Sequence, residues 1–122
     1  LSVAENIFIG RERTRAGVHI DRAAQAEGAR QLMRRLEQDI APDTPLGNLR
    51  IGQQQIVEIA KALAQDARIL ILDEPTSALD ATVQAEILRL IEELVTTRGM
   101  GLILISHDLP LVSHFCDRVL VM

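Results

Sequence analysis

The chain has 122 residues, 48% of them hydrophobic and 25% charged, and carries a net charge of −4. That balance belongs to a globular protein of about one domain. No apolar run reaches the roughly 18 residues a membrane helix needs, and the single cysteine, Cys116, excludes a disulfide scaffold and suits a reducing compartment.

The charge is unevenly placed. Residues 1–67 hold nine basic and nine acidic side chains, whereas residues 68–122 hold four and eight. With 2% aromatics, the acidic second half argues against a nucleic-acid surface, which needs a basic field and usually stacking rings.

In chain order, Ser2-Val-Ala-Glu5 is a capping box that starts a short helix with Val3, Ile7 and Phe8 on its apolar side. Residues 11–17 are polar and read as a loop, with Arg11, Arg13 and Arg15 solvated beside Glu12. Asp21 caps a longer helix whose apolar face is Ala29, Leu32, Met33 and Leu36. Pro42, Pro45 and Gly47 interrupt the chain, and a further helix begins near Gly52 and runs to Ala64, with Ile56, Ile59, Ala60 and Leu63 on one face.

The pattern changes after residue 66. Ile69-Leu-Ile-Leu72 is a continuous apolar run, expected for a strand covered on both faces. Val83, Ile87, Leu90, Ile91 and Leu94 form a helical stripe, Gly99 to Gly101 a turn, and Leu102-Ile-Leu-Ile105 a second buried strand. Pro110 suits the first turn of a short helix over 109–115, with Cys116 beside Phe115 as a small core residue, and residues 119–122 read as a third strand. His19 and His114 are expected at the surface. The organisation is therefore a helical part, 1–65, followed by an α/β part, 66–122, with parallel strands joined by crossovers. Since the chain opens on Leu1 and stops inside an expected strand, it reads as an internal piece of a longer protein.

The chemistry gathers at strand ends. Ile69-Leu-Ile-Leu-Asp73-Glu74-Pro75 delivers two adjacent carboxylates to the tip of a strand, where open α/β sheets bind ligands. Side-chain alternation sends them to opposite sides, so they serve different tasks. Asp73 is placed for Mg²⁺ and Glu74 for an attacking water, as base or orienter. A solvated turn after a strand is the structural alternative.

Asp73-Glu-Pro-Thr-Ser-Ala-Leu-Asp80 resembles, residue for residue, the Walker B motif and D-loop of the ATP-binding-cassette (ABC) ATPases. Leu102-Ile-Leu-Ile-Ser-His107-Asp108 is similar to that family's switch strand, and Leu49-Arg-Ile-Gly-Gln53 stands where its signature sequence belongs. The resemblance implies an α/β fold, part of a P-loop NTPase nucleotide-binding domain. Its helical signature subdomain (1–65) would precede strand–helix–strand units of a RecA-like core (66–122). It implies catalytic roles for Glu74 and His107, Mg²⁺ at Asp73, and ATP contacts from Arg50, Ile51, Gly52, Gln53 and Asp80. In the signature, Gly52 lets backbone N–H groups at a helix N-terminus approach a phosphate. Arg50 and Ile51 depart from the common Leu-Ser-Gly-Gly-Gln, so the hydroxyl bond of the usual serine does not carry over to Arg50. Asp80 also serves as a helix N-cap.

The resemblance further implies a head-to-tail partnership with a second ABC ATPase domain, transmembrane permease subunits and, indirectly, a substrate-binding protein. It places the protein peripherally on the cytoplasmic face of the inner membrane. Residues 1–12 and 51–63 are similar to bacterial monosaccharide importers of the ribose, galactose and xylose type, and residues 82–88, 98–100 and 106–109 to oligopeptide importers. Transport of a monosaccharide is the favoured reading. The alternatives are a peptide importer, a soluble ABC ATPase of translation or DNA repair, and a non-catalytic binding module. Phosphoryl transfer of this kind uses a glycine-rich loop with a lysine. The only lysine, Lys61, lies mid-helix without a neighbouring glycine, so these 122 residues alone are expected to bind Mg-ATP very weakly and not to turn it over.

Overall fold

The structure, a computed structural model, describes residues 1–15 and 17–122. They divide into two compact units, Leu1–Ala67 and Arg68–Met122.

In the first unit, α1 (Val3–Ile7) begins at the expected capping box: Ser2 Oγ accepts from the Glu5 N–H, and Glu5 Oε2 accepts from the Ser2 N–H. Two more N–H groups at this end, those of Val3 and Ala4, donate to the carbonyls of Thr44 and Pro42, both at 2.9 Å. The proline-broken segment is thereby used as a cap for α1. α2 (Arg22–Arg35) starts at Asp21, whose Oδ1 accepts from Ala24, and α3 spans Ile51–Ala64. A short 3-10 turn at Leu46–Asn48 precedes α3. The buried side chains include Val3, Ile7, Ala29, Met33, Ile56, Val57, Ile59 and Leu63, one helical stripe from each of α1, α2 and α3.

The unit is not all helical. β1 (Thr14–Arg15), inside the expected loop, pairs antiparallel with β2 (His19–Ile20), just beyond it, and Gly17 takes φ +76° between them. The Asp21 N–H donates to the Arg13 carbonyl, extending the pairing. Ala16, part of that loop reading, lies outside the described residues. The arginines are exposed but not simply solvated: Arg13 lies over the Phe8 ring, 5.3 Å from its centroid, and Arg11 Nη1 donates to the Gln65 carbonyl.

In the second unit, β3 (Ile69–Asp73) pairs in parallel with β4 (Gly101–Ile105), in register from Ile69 opposite Gly101 to Asp73 opposite Ile105. They are joined through α4 (Ala81–Arg98), which ends at Gly99 in the left-handed conformation that glycine adopts without penalty. α5 (Leu109–Phe115) follows, capped by Asp108 with Pro110 in its first turn. The buried side chains include Leu70 and Leu72 of β3, Ile87, Leu90, Ile91 and Leu94 of α4, Met100, and Leu111 and Val112 of α5.

Three expectations are corrected here. β3 is covered on one face only, since Ile69 and Ile71 are 59% and 63% exposed while Leu70 and Leu72 are buried. β4 likewise alternates, with Ile103 and Ile105 on the exposed face. An unbroken apolar run does not itself distinguish one covered face from two. Residues 119–122 form no strand, because β-propensity makes a strand only where a neighbouring ladder receives it. Cys116 is half-buried at the C-terminus of α5 rather than in the core, whereas His19 and His114 are exposed as expected.

Candidate functional site

The parallel ladder ends at Asp73, and the next residue makes the site. The Glu74 N–H still donates to the Ile105 carbonyl at 2.8 Å, but Glu74 itself turns to φ +46°. A positive φ on a non-glycine residue is costly and occurs where surrounding structure enforces it, often at functional positions. This turn also corrects the sequence argument: the alternation of a strand does not reach Glu74, because Glu74 has left it. Its direction is set by the turn and by its hydrogen bonds.

Those bonds come from the end of β4. Glu74 Oε1 accepts from the His107 backbone N–H at 3.0 Å and lies 2.8 Å from His107 Nδ1. An ionised carboxylate only accepts, so the imidazole carries its proton on Nδ1 and leaves Nε2 directed elsewhere. The hydrogen bond that His107 donates to Glu74, and the negative charge of Glu74, raise the His107 pKa above its ordinary 6.5. The imidazole side chain is 82% exposed and the Glu74 side chain 35%, so the pair lies at the surface of this unit. Both His107 bonds use the same oxygen; among the described residues Glu74 Oε2 makes no hydrogen bond.

Asp73 is exposed on the last residue of β3, and its carboxylate takes part in no hydrogen bond or ion pair among the described residues. Asp80 ends the turn that follows: its Oδ1 accepts from the Val83 N–H at 2.9 Å and caps α4. The turn between them is tightened by Ser77, whose hydroxyl and N–H both donate to the Glu74 carbonyl.

The remaining site residues belong to the first unit. Arg50 is the extended N-cap of α3, Ile51 its first residue, exposed, and Gly52 is buried. Gln53 reaches back to accept the Arg50 N–H on Oε1 at 3.1 Å, and Gln54 Nε2 donates to the Leu49 carbonyl at 2.9 Å. A guanidinium has no acceptor, so Arg50 caps none of the first-turn N–H groups, and these stay available to an anion. The Gln53 cap was missed in the sequence, although a glutamine three residues after a helix start is its signal.

The ABC transporter family model matches residues 1–77, which include the signature region and Asp73–Ser77. The chain belongs to that family. A Burkholderia lata protein, provisionally named ribose/galactose/methyl galactoside import ATP-binding protein 1, is 49% identical over the whole of this chain and 24% of its own length. The ribose import ATP-binding protein RbsA of Rhodopirellula baltica is 44% identical, again over the whole chain and 24% of the relative. This ABC chain thus spans about a quarter of the curated relatives it matches. The ABC fold is equally plain: the ATP-binding cassette MJ0796, in a dimeric post-hydrolysis state bound to ADP and Pi, superposes with a TM-score of 0.70 at 27% identity. That match covers 91% of this chain and 48% of the cassette. Among the described residues no helix is long and apolar enough to cross a membrane.

Proposed function

We propose that this ABC chain is the signature and Walker B portion of an ATPase that powers import of a monosaccharide. The observation that carries the reading is the Glu74–His107 contact at the end of two parallel strands, directly after Asp73. Glu74 holds His107 through Oε1 and keeps Oε2 for a water, from which it takes the proton as the water oxygen bonds the γ-phosphorus and the bond from that phosphorus to the bridging oxygen breaks, with ADP leaving. His107, held on Nδ1, offers Nε2 to the phosphate. Its raised pKa favours the imidazolium, whose Nε2–H donates to an anion.

The residues fit Mg²⁺. This ion takes one or two carboxylates and completes its shell with waters and phosphate oxygens, and Asp73 offers one exposed, uncommitted carboxylate. When bound, Mg²⁺ neutralises charge on the phosphates.

The uncapped N-terminus of α3, with Arg50, Ile51, Gly52 and Gln53, presents N–H groups and a guanidinium to the nucleotide held by a second ABC domain in a head-to-tail dimer. Asp80 stands at the D-loop of the same contact. Residues 1–65 act as the helical signature subdomain, which passes closure to transmembrane permeases fed by a substrate-binding protein, and residues 66–122 as part of the RecA-like core. The protein works peripherally at the cytoplasmic face of the membrane. Relatives named for ribose import align with both halves of the chain, which supports a sugar over an oligopeptide as cargo.

The test is Glu74→Gln in the intact protein. ATP binding should persist while hydrolysis falls by roughly 10²–10⁴-fold, the usual worth of a general base. Unchanged turnover would remove Glu74 from the mechanism.

A further inference from the structure

The first unit carries a feature that hydrolysis does not use. Phe8, Arg13 and one face of α2, from Gly28 through Gln31 to Arg35, line an open cavity of about 240 Å³. Gly28 makes the space, since a Cβ there would meet Phe8 Cζ at 2.8 Å. Arg13 is held in position: its guanidinium carbon stands 5.3 Å from the Phe8 centroid and would be 3.5 Å from that Cβ. The Phe8 ring thus holds a cation at the cavity wall.

Neither Arg13 nor Arg35 has an acidic partner among the described residues. Of the acids on α2 and in the segment before it, three are committed elsewhere. Glu27 accepts from Arg30, Gln31 and Arg34, Glu12 from the Gly10 N–H, and Asp21 from the N–H of Ala24. The bonds from Gln31 and Arg30 hold the Glu27 carboxyl below its ordinary range, and backbone N–H groups do the same for Glu12, so both stay ionised on those partners. Arg13 and Arg35 both line this one cavity, and neither forms an ion pair among the described residues. Their forked donors match the paired oxygens of a carboxylate or phosphate. The volume lies below the roughly 300–1,000 Å³ of sites that enclose a drug-sized ligand, so the cavity suits a single anionic group rather than a nucleotide.

We infer that the cavity between Arg13 and Arg35 is an oxyanion site, which takes one phosphate group or one carboxylate. None of its residues lies in the signature or Walker B segments.

The experiment is calorimetric titration of the intact protein with inorganic phosphate and, separately, with a short glutamate-rich peptide. Parent, Arg13→Gln, Arg35→Gln and Arg30→Gln proteins are compared. At least one probe should saturate, weaken about tenfold or more in Arg13→Gln and in Arg35→Gln, and be unaffected by Arg30→Gln, whose arginine pairs with Glu27. Preference for phosphate identifies a free anion as the ligand, and preference for the peptide an acidic side chain of a partner. Arg35 is exposed, so its substitution keeps the test valid even if Arg13→Gln loosens Phe8. Binding insensitive to both substitutions, or no saturable binding of either probe, overturns the inference.

Discussion

Glu74 Oε1 lies 2.8 Å from His107 Nδ1 and 3.0 Å from the His107 backbone nitrogen, so a single carboxylate oxygen ties together two strand ends that are 33 residues apart in sequence. The imidazole pKa rises because Glu74 bonds and attracts the imidazolium. The sign of the linkage follows: a folded-state pKa above the unfolded value means the contact stabilises fully below pH 6.5 and fades as pH climbs through the folded midpoint. An NMR titration should place the His107 midpoint above 6.5, and Glu74→Gln should bring it down. A midpoint indifferent to that substitution would mean the contact is absent in solution.

Gly28 sets two familiar effects against each other. Replacing a helix-interior glycine with alanine ordinarily gains about 1 kcal/mol. Here the new Cβ would stand 2.8 Å from Cζ and 3.3 Å from Cε2 of Phe8, a rigid ring only 6% exposed. Overpacking of that kind costs roughly 1–3 kcal/mol, so Gly28→Ala should be neutral to destabilising by up to about 2 kcal/mol. Thermal denaturation decides it, and a clear rise in Tm would show that Phe8 has room to move.

What the sequence made legible, and what it hid, follows from how local each signal is. The caps Ser2, Asp21 and Asp80 and the stripe Ile87–Leu94 depend on neighbours within a few positions, and they stand where expected. The β1–β2 pair is hidden because its strands are two residues long, too short for an alternation to read. The 119–122 strand was over-read because pairing depends on a distant partner that composition does not encode. Asp73, Glu74 and His107 were legible as strand-end chemistry, but not the left-handed turn at Glu74, for which glutamate carries no local signal.

Ile91 probes the core of the second unit. It is 1% exposed on α4, among the largest fully buried side chains. Truncation loses the transfer free energy and leaves a cavity, so Ile91→Ala should cost about 2–5 kcal/mol. Since total stability is on the order of 5–15 kcal/mol, urea denaturation should show a markedly lower midpoint. A loss under about 1 kcal/mol would mean that the α4 stripe is not packed as described.

Arg50 offers a substitution with the opposite sign. It occupies an N-cap with φ −65° and ψ 153°, the extended conformation of a capping residue, yet its side chain has no acceptor to offer the first turn. Half of a capping box already exists, because Gln53 Oε1 accepts the Arg50 N–H at 3.1 Å. Arg50→Ser would supply the other half, its hydroxyl accepting from the Gln53 N–H. A serine cap is worth about 1 kcal/mol over a residue that cannot cap, so Tm should rise. Gln53→Ala in the serine background should return part of the gain, since the two halves of the box are reciprocal. If Arg50→Ser leaves Tm unchanged, the N–H groups at this helix end are already satisfied, and the anion-receptive character assigned to the start of α3 fails with it.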